Sequence, residues 1–144
     1  MTTFKFRLES VLRWRQSTLE MEQFALSRLA AELVRWDQVL AELEISRQRA
    51  DRLLVSSESI RGRDLQAAVR YKDLVAGQKR LAVQHRAECE RKLVEQRQRL
   101  LQARRDFRLL EKLRQVRRAE WESAVDREFE ALAAESYLAR WTAR

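Results

Sequence analysis

Val55-Ser56-Ser57-Glu58-Ser59-Ile60-Arg61-Gly62-Arg63-Asp64 is the one stretch of this 144-residue chain in which a helix has to stop. It gathers Ser, Gly and Asp, the residues that favour turns and helix starts. There is no proline anywhere, and the only other glycine, Gly77, stands alone among helix formers. Apolar residues return at helical spacing on both sides of the break. One break in a long helical chain predicts two antiparallel helices joined by a turn. The fold class is therefore all-α: a long antiparallel two-helix coiled-coil hairpin with unequal arms, the C-terminal helix longer. The expected bounds are about 5–55 for the first helix, about 56–64 for the loop and about 65–140 for the second helix, in a single coiled-coil domain over 1–144.

In the first arm the apolar steps alternate between four and three. They run Leu8, Leu12, Arg15, Leu19, Glu22, Leu26, Leu29, Leu33, Trp36, Leu40, Leu43, Arg47, Ala50 and Leu54. A 3.5-residue repeat of this length predicts a supercoiled seam with interlocking side chains. Arg15 and Arg47 can lay their methylene stems along the seam and keep the charge in water. In the second arm Asp64 is the expected N-cap. Leu65, Ala68, Tyr71, Leu74 and Val75 open the stripe. Leu81, His85, Cys89 and Leu93 then step by four, which predicts a local stutter. The regular repeat resumes at Leu93, Gln96, Leu100, Ala103, Phe107, Leu110, Arg114, Arg117, Trp121 and Ala124. Gly77, mid-helix, costs about 1 kcal/mol relative to Ala, and close helix approach or simple tolerance accounts for it better than a hinge.

Leu54 should face a residue near position 69, and Leu8 one near 115. The C-terminal residues past that point then have no first helix to cover them. Yet they carry Trp121, Val125, Phe129, Leu132, Tyr137, Leu138 and Trp141, with the first four at amphipathic helical spacing. An uncovered apolar stripe reads as a partner surface. Phe4, Phe6, Val11 and Trp14 lie beside the seam at the other chain end, which an antiparallel hairpin brings to the same place. These aromatics can instead fold back and close the end of the seam.

The formal net charge is +8. Residues 1–85 hold 15 Lys or Arg against 11 Asp or Glu, residues 86–118 hold 12 against 5, and residues 119–144 hold 3 against 6. The distal arm is thus basic and then turns acidic. A solvated coiled-coil surface is one reading of this; steering onto an acidic partner, nucleic acid or anionic lipid is the functional one. The lone Cys89 cannot form an intrachain disulfide, which suits a reducing compartment. No secretory leader is read at the start, and no run approaches the roughly 20 apolar residues that cross a bilayer.

Catalytic chemistry is not expected. The chain has one histidine, His85, and one cysteine, so no His-based zinc site or nucleophile–base pair is foreseen. His85 and Cys89 read as small polar seam fillers. No Gly-rich phosphate loop is present. The chain is read as a non-enzyme without metal or cofactor.

The opening Phe4-Lys5-Phe6-Arg7-Leu8-Glu9-Ser10-Val11-Leu12-Arg13-Trp14-Arg15 resembles the start of the FliJ family, cytoplasmic components of the bacterial flagellar type III export apparatus. Leu109 to Leu113, Ala119-Glu120-Trp121 and Asp126-Arg127-Glu128 resemble its distal half. The resemblance implies a stalk whose joined chain ends enter the pore of the hexameric export ATPase, with Phe4, Phe6, Leu8, Val11, Trp14, Leu113, Trp121, Val125 and Phe129 as the docking tip. Arg104, Arg105, Arg108, Arg114, Arg117 and Arg118 would steer it toward an acidic lining. It further implies contact with the cytoplasmic domain of the export gate through Leu43, Arg47, Ala50, Leu54, Tyr71, Leu74, Gln78, Leu81 and His85, and escort of export chaperones. Gln78 stands where some relatives have an apolar residue, and Arg47 and Ala50 replace bulkier gate-facing residues. The implied location is cytoplasmic, peripheral at the inner face of the cell membrane through partners, without direct nucleic-acid contact. The stalk of a virulence-type secretion system is similar in architecture. A basic nucleic-acid-binding coiled coil and a homodimeric scaffold are further readings.

Overall fold

The structure is a computed structural model describing residues 3–56 and 61–142. Two helices, α1 (Glu9–Ser56) and the longer α2 (Gly62–Thr142), pack against each other, as the unequal-arm reading expects. Residues 57–60 of the expected loop lie outside the described residues. Contacts group the chain into two compact units, Glu22–Leu100 and Met1–Met21 with Leu101–Arg144.

Both helix starts differ from expectation. The Leu8 carbonyl accepts the first α-helical bond of α1, from Leu12 at 2.8 Å, so Phe4 to Leu8 precede the helix. The Arg61 carbonyl accepts from Leu65 at 3.1 Å, which makes Arg61 the capping position. Asp64 is therefore not the N-cap. It sits in the first turn of α2, where its charge faces the positive end of the helix dipole.

In the Glu22–Leu100 unit the seam of α2 runs Ala68, Lys72, Val75, Lys79, Ala82, Arg86, Cys89, Leu93, Gln96 and Leu100. Its steps are four and three throughout, with Val75, Ala82, Cys89, Leu93, Gln96 and Leu100 buried. The expected stutter is absent. Tyr71, Leu74, Leu81 and His85 are exposed instead, and Leu81 is 58% exposed beside Ala82 at 3%. The reason is electrostatic. Lys72, Lys79 and Arg86 occupy seam positions by reaching across to Asp51, Glu44 and Asp37. Both sets step by seven, in opposite directions, which makes the helices antiparallel and ties each ion pair to the same register. Asp51 pairing with Lys72 agrees with Leu54 facing position 69.

A ladder with a heptad period tolerates a slip of one heptad. The buried Gln96 does not. Its amide donates to the Glu22 main-chain oxygen at 3.1 Å and to the Glu22 carboxylate. A slip of one heptad would set Gln96 against Leu29 or against the cation Arg15 in place of the Glu22 carboxylate, at about 1–3 kcal/mol for a buried amide left without its partner. Cys89 adds a third cross-helix bond, its Sγ donating to the Leu29 carbonyl at 3.4 Å. Burial and the nearby Glu32 push the Cys89 thiol up from its ordinary range, which suits an inert seam filler.

A Cβ added at Gly77 would meet nothing within 4 Å, so close helix approach is not its role. Its backbone is ordinary right-handed helix. Gly77→Ala is therefore expected to stabilise the fold by about 0.5–1 kcal/mol, read as a rise in thermal midpoint. A fall would mean that the position needs glycine for a reason other than space.

In the other unit α1 begins against the distal part of α2. Leu12 and Ala103 are buried, and Phe107 and Leu110 half-buried. Arg15 pairs with Asp106 at 3.0 Å and Glu9 with Arg114 at 3.4 Å. Ahead of α1, Phe4 packs on Trp121 with ring centroids 6.0 Å apart and planes tilted by 50°. From residue 126 to 142 every α2 residue is exposed.

Candidate functional site: the interaction faces of the two helices

The residues expected at a docking tip divide into two kinds. Phe4, Phe6, Trp121 and Val125 are half-buried, and Phe4 packs on Trp121, so part of this group closes the end of the seam. Leu8, Val11, Trp14, Leu113 and Phe129 stand exposed, at 38%, 38%, 57%, 37% and 47%. Trp14 is overlaid by the Arg15 guanidinium, 4.7 Å from the ring centroid. The same guanidinium pairs with Asp106. Beyond Val125, Phe129 and Leu132 continue the stripe begun by Trp121, and Leu132 is 61% exposed. Tyr137, Leu138 and Trp141 project from other faces of the same helix.

The expected steering run also divides. Arg114, Arg117 and Arg118 are committed to Glu9, Glu120 and Glu122. Arg104, Arg105 and Arg108 are exposed and form no ion pair among the described residues. Only the second trio presents uncompensated charge.

Among the residues expected at an export gate, those of α2 come together. Tyr71, Leu74, Gln78, Leu81 and His85 follow steps of three and four along one exposed face beside the seam. Those of α1 do not join it. Ala50 is 7% exposed and Leu43 and Leu54 are half-buried, so these three hold the seam. Arg47 is held by Glu44 at 2.9 Å and lies 3.8 Å from Asp51. Trp36 of α1 lies next to this face instead. The Trp36 ring stacks on His85 with centroids 4.9 Å apart and planes 12° apart. Trp36, expected inside the seam, is half-buried like the leucines of α1, and its ring also meets the exposed His85 beside the α2 seam. A hollow of about 570 Å³, open to solvent, follows Arg28, Glu32, Trp36 and Val39 along α1.

His85 and Cys89 stand one turn apart on α2, the first exposed and the second buried in the seam. Among the described residues no three His, Cys, Asp or Glu side chains are gathered for a metal ion. No helix of the described residues is long and apolar enough to cross a membrane. No protein-family model, curated protein or solved structure matches the chain.

Proposed function

We propose that this chain is a non-enzymatic stalk of the FliJ type, serving flagellar type III protein export. In this reading residues near the two chain ends dock in the pore of the hexameric export ATPase. The face from Tyr71 to His85 meets the export gate, export chaperones are carried on the exposed flanks, and the chain works at the inner face of the cell membrane without cofactor or metal. The observation that best supports it is the combination at Trp121. Phe4 brings the N-terminal residues onto α2 there, and α2 then continues from 126 to 142 with its apolar side chains uncovered. A helix end kept apolar and unpaired is suited to a socket on another protein.

Phe129 and Leu132 are the most informative positions, because they are exposed and Trp121 is not. Phe129→Ala with Leu132→Ala is expected to weaken binding to a cognate flagellar export ATPase by about thirtyfold, in the range of interface hot spots. Helicity should be unchanged. Unchanged ATPase binding and unchanged stimulation of ATP hydrolysis by this double variant would falsify the docking reading. Stimulation of an injectisome ATPase in place of the flagellar one would assign the chain to a virulence-type system.

A further inference from the structure

Residues 101–119 hold seven Lys or Arg against two Asp or Glu. Their arrangement says more than their number. Leu101, Arg105, Arg108, Lys112, Val116 and Ala119 follow steps of 4, 3, 4, 4 and 3, a single stripe on α2. At 100° per residue it lies opposite the layer of Leu100, Ala103 and Leu110 that packs toward α1. Leu109 sits within the same stripe, one turn from Arg105 and from Lys112. All of these side chains are exposed, with Leu101 at 49%, Leu109 at 68% and Val116 at 47%.

The two carboxylates of the segment do not neutralise the stripe. Asp106 accepts from Arg15 and from Gln102, both at 3.0 Å, on the side turned toward α1. Glu111 lies on the flank and makes no ion pair among the described residues. Arg105, Arg108 and Lys112 likewise have none. In the seam of α2, by contrast, Lys72, Lys79 and Arg86 are matched to Asp51, Glu44 and Asp37. Here three in a row are left open and are interleaved with three bare apolar side chains.

We infer that this stripe is a docking face for an anionic lipid bilayer, with Arg105, Arg108 and Lys112 on the headgroup phosphates and Leu101, Leu109 and Val116 at the acyl boundary. Two features choose the bilayer over other anions. The stripe is straight and convex, spanning about 27 Å from Leu101 to Ala119 at 1.5 Å per residue, which suits a flat deformable surface. Its uncharged members are aliphatic, which rewards insertion between headgroups, whereas a nucleic acid would favour aromatic side chains that stack on bases. The charges supply long-range attraction, and the leucines give selectivity for a surface with a hydrocarbon layer beneath it. Direct lipid contact goes beyond the stalk reading, in which membrane association comes only through partners.

The test is flotation of the full chain with vesicles of phosphatidylcholine alone and with about one-third phosphatidylglycerol, at about 0.15 M salt. Binding to the anionic vesicles and not to the neutral ones is expected. Arg105→Glu with Arg108→Glu and Lys112→Glu should lose at least about tenfold in affinity. Leu109→Ser, which leaves the charge untouched, should lose about threefold or more. Circular dichroism of each variant should match the parent, since none of these side chains packs on α1. Failure of the parent chain to float with anionic vesicles would overturn the inference. So would a triple variant that floats as well as the parent, or tighter binding to a short DNA duplex with no response to Leu109→Ser. The assay contains no ATPase, so its failure leaves the stalk reading standing. Conversely, Phe129→Ala with Leu132→Ala should still float.

Discussion

Leu100→Ala is expected to destabilise the fold by about 2–5 kcal/mol, while Leu101→Ala beside it changes stability by less than about 0.5 kcal/mol. The two residues are chemically identical neighbours. Leu100 is 5% exposed in the seam and Leu101 is 49% exposed on the opposite face. A two-helix layer has little room to collapse around a cavity from both sides, and it has few other core contacts to fall back on. Removing Leu100 therefore costs the transfer of its side chain and a void as well. Removing Leu101 exposes nothing new. Urea or thermal unfolding followed by circular dichroism measures both. Equal losses at the two positions would mean that the seam of α2 is misassigned.

Reversing the acidic side of the interhelical ladder should have the next largest effect. Asp37→Lys, Glu44→Lys and Asp51→Lys together set three cations against Lys72, Lys79 and Arg86 in a heptad row. The thermal midpoint is expected to fall by on the order of 10 °C, because facing like charges act against the register three times over. Lys72→Glu, Lys79→Glu and Arg86→Glu in the same chain should restore most of it. Recovery separates pair-specific attraction from any loss of helix propensity, which the second set of substitutions would not repair. Salt should narrow the gap between the parent and reversed chains.

The same ladder sets a pH dependence. Arg47 hydrogen-bonds Glu44 and holds its carboxyl below the ordinary 4.5. Lys72 does the same for Asp51, below its ordinary 3.8. A carboxyl depressed in the folded state stabilises the fold above its unfolded value, and that contribution is lost as pH falls through the folded value. The thermal midpoint should thus be flat between about pH 5 and 8 and decline below about pH 4. The reversed variant, lacking these carboxylates, should not share that decline.

How the sequence and the structure divide the explanation is clearest along the two helices. The break at Val55 to Asp64 and the absence of proline suffice for two helices of unequal length. In α1 the apolar steps of four and three name the packed face almost residue by residue, from Leu12 to Leu54. There the pattern is local: the leucines at those steps are half-buried or buried, while Leu53, off the pattern, is 71% exposed. Near the start of α2 the same reading selects Tyr71, Leu74, Leu81 and His85, which face solvent. The true seam carries Lys72, Lys79 and Arg86, residues that local hydropathy rejects. They are acceptable there only because Asp51, Glu44 and Asp37 wait across the pair, and that information lies in the other helix. The same holds for the functional faces. Exposed apolar side chains past Val125 could be foreseen from chain length alone. Which arginines stay uncompensated could not, because Arg114, Arg117 and Arg118 look identical to Arg104, Arg105 and Arg108 until their acids are in place. Periodicity along one chain determines which elements form; the partner that each charged side chain finds across the seam decides which face is buried and which is left for other molecules.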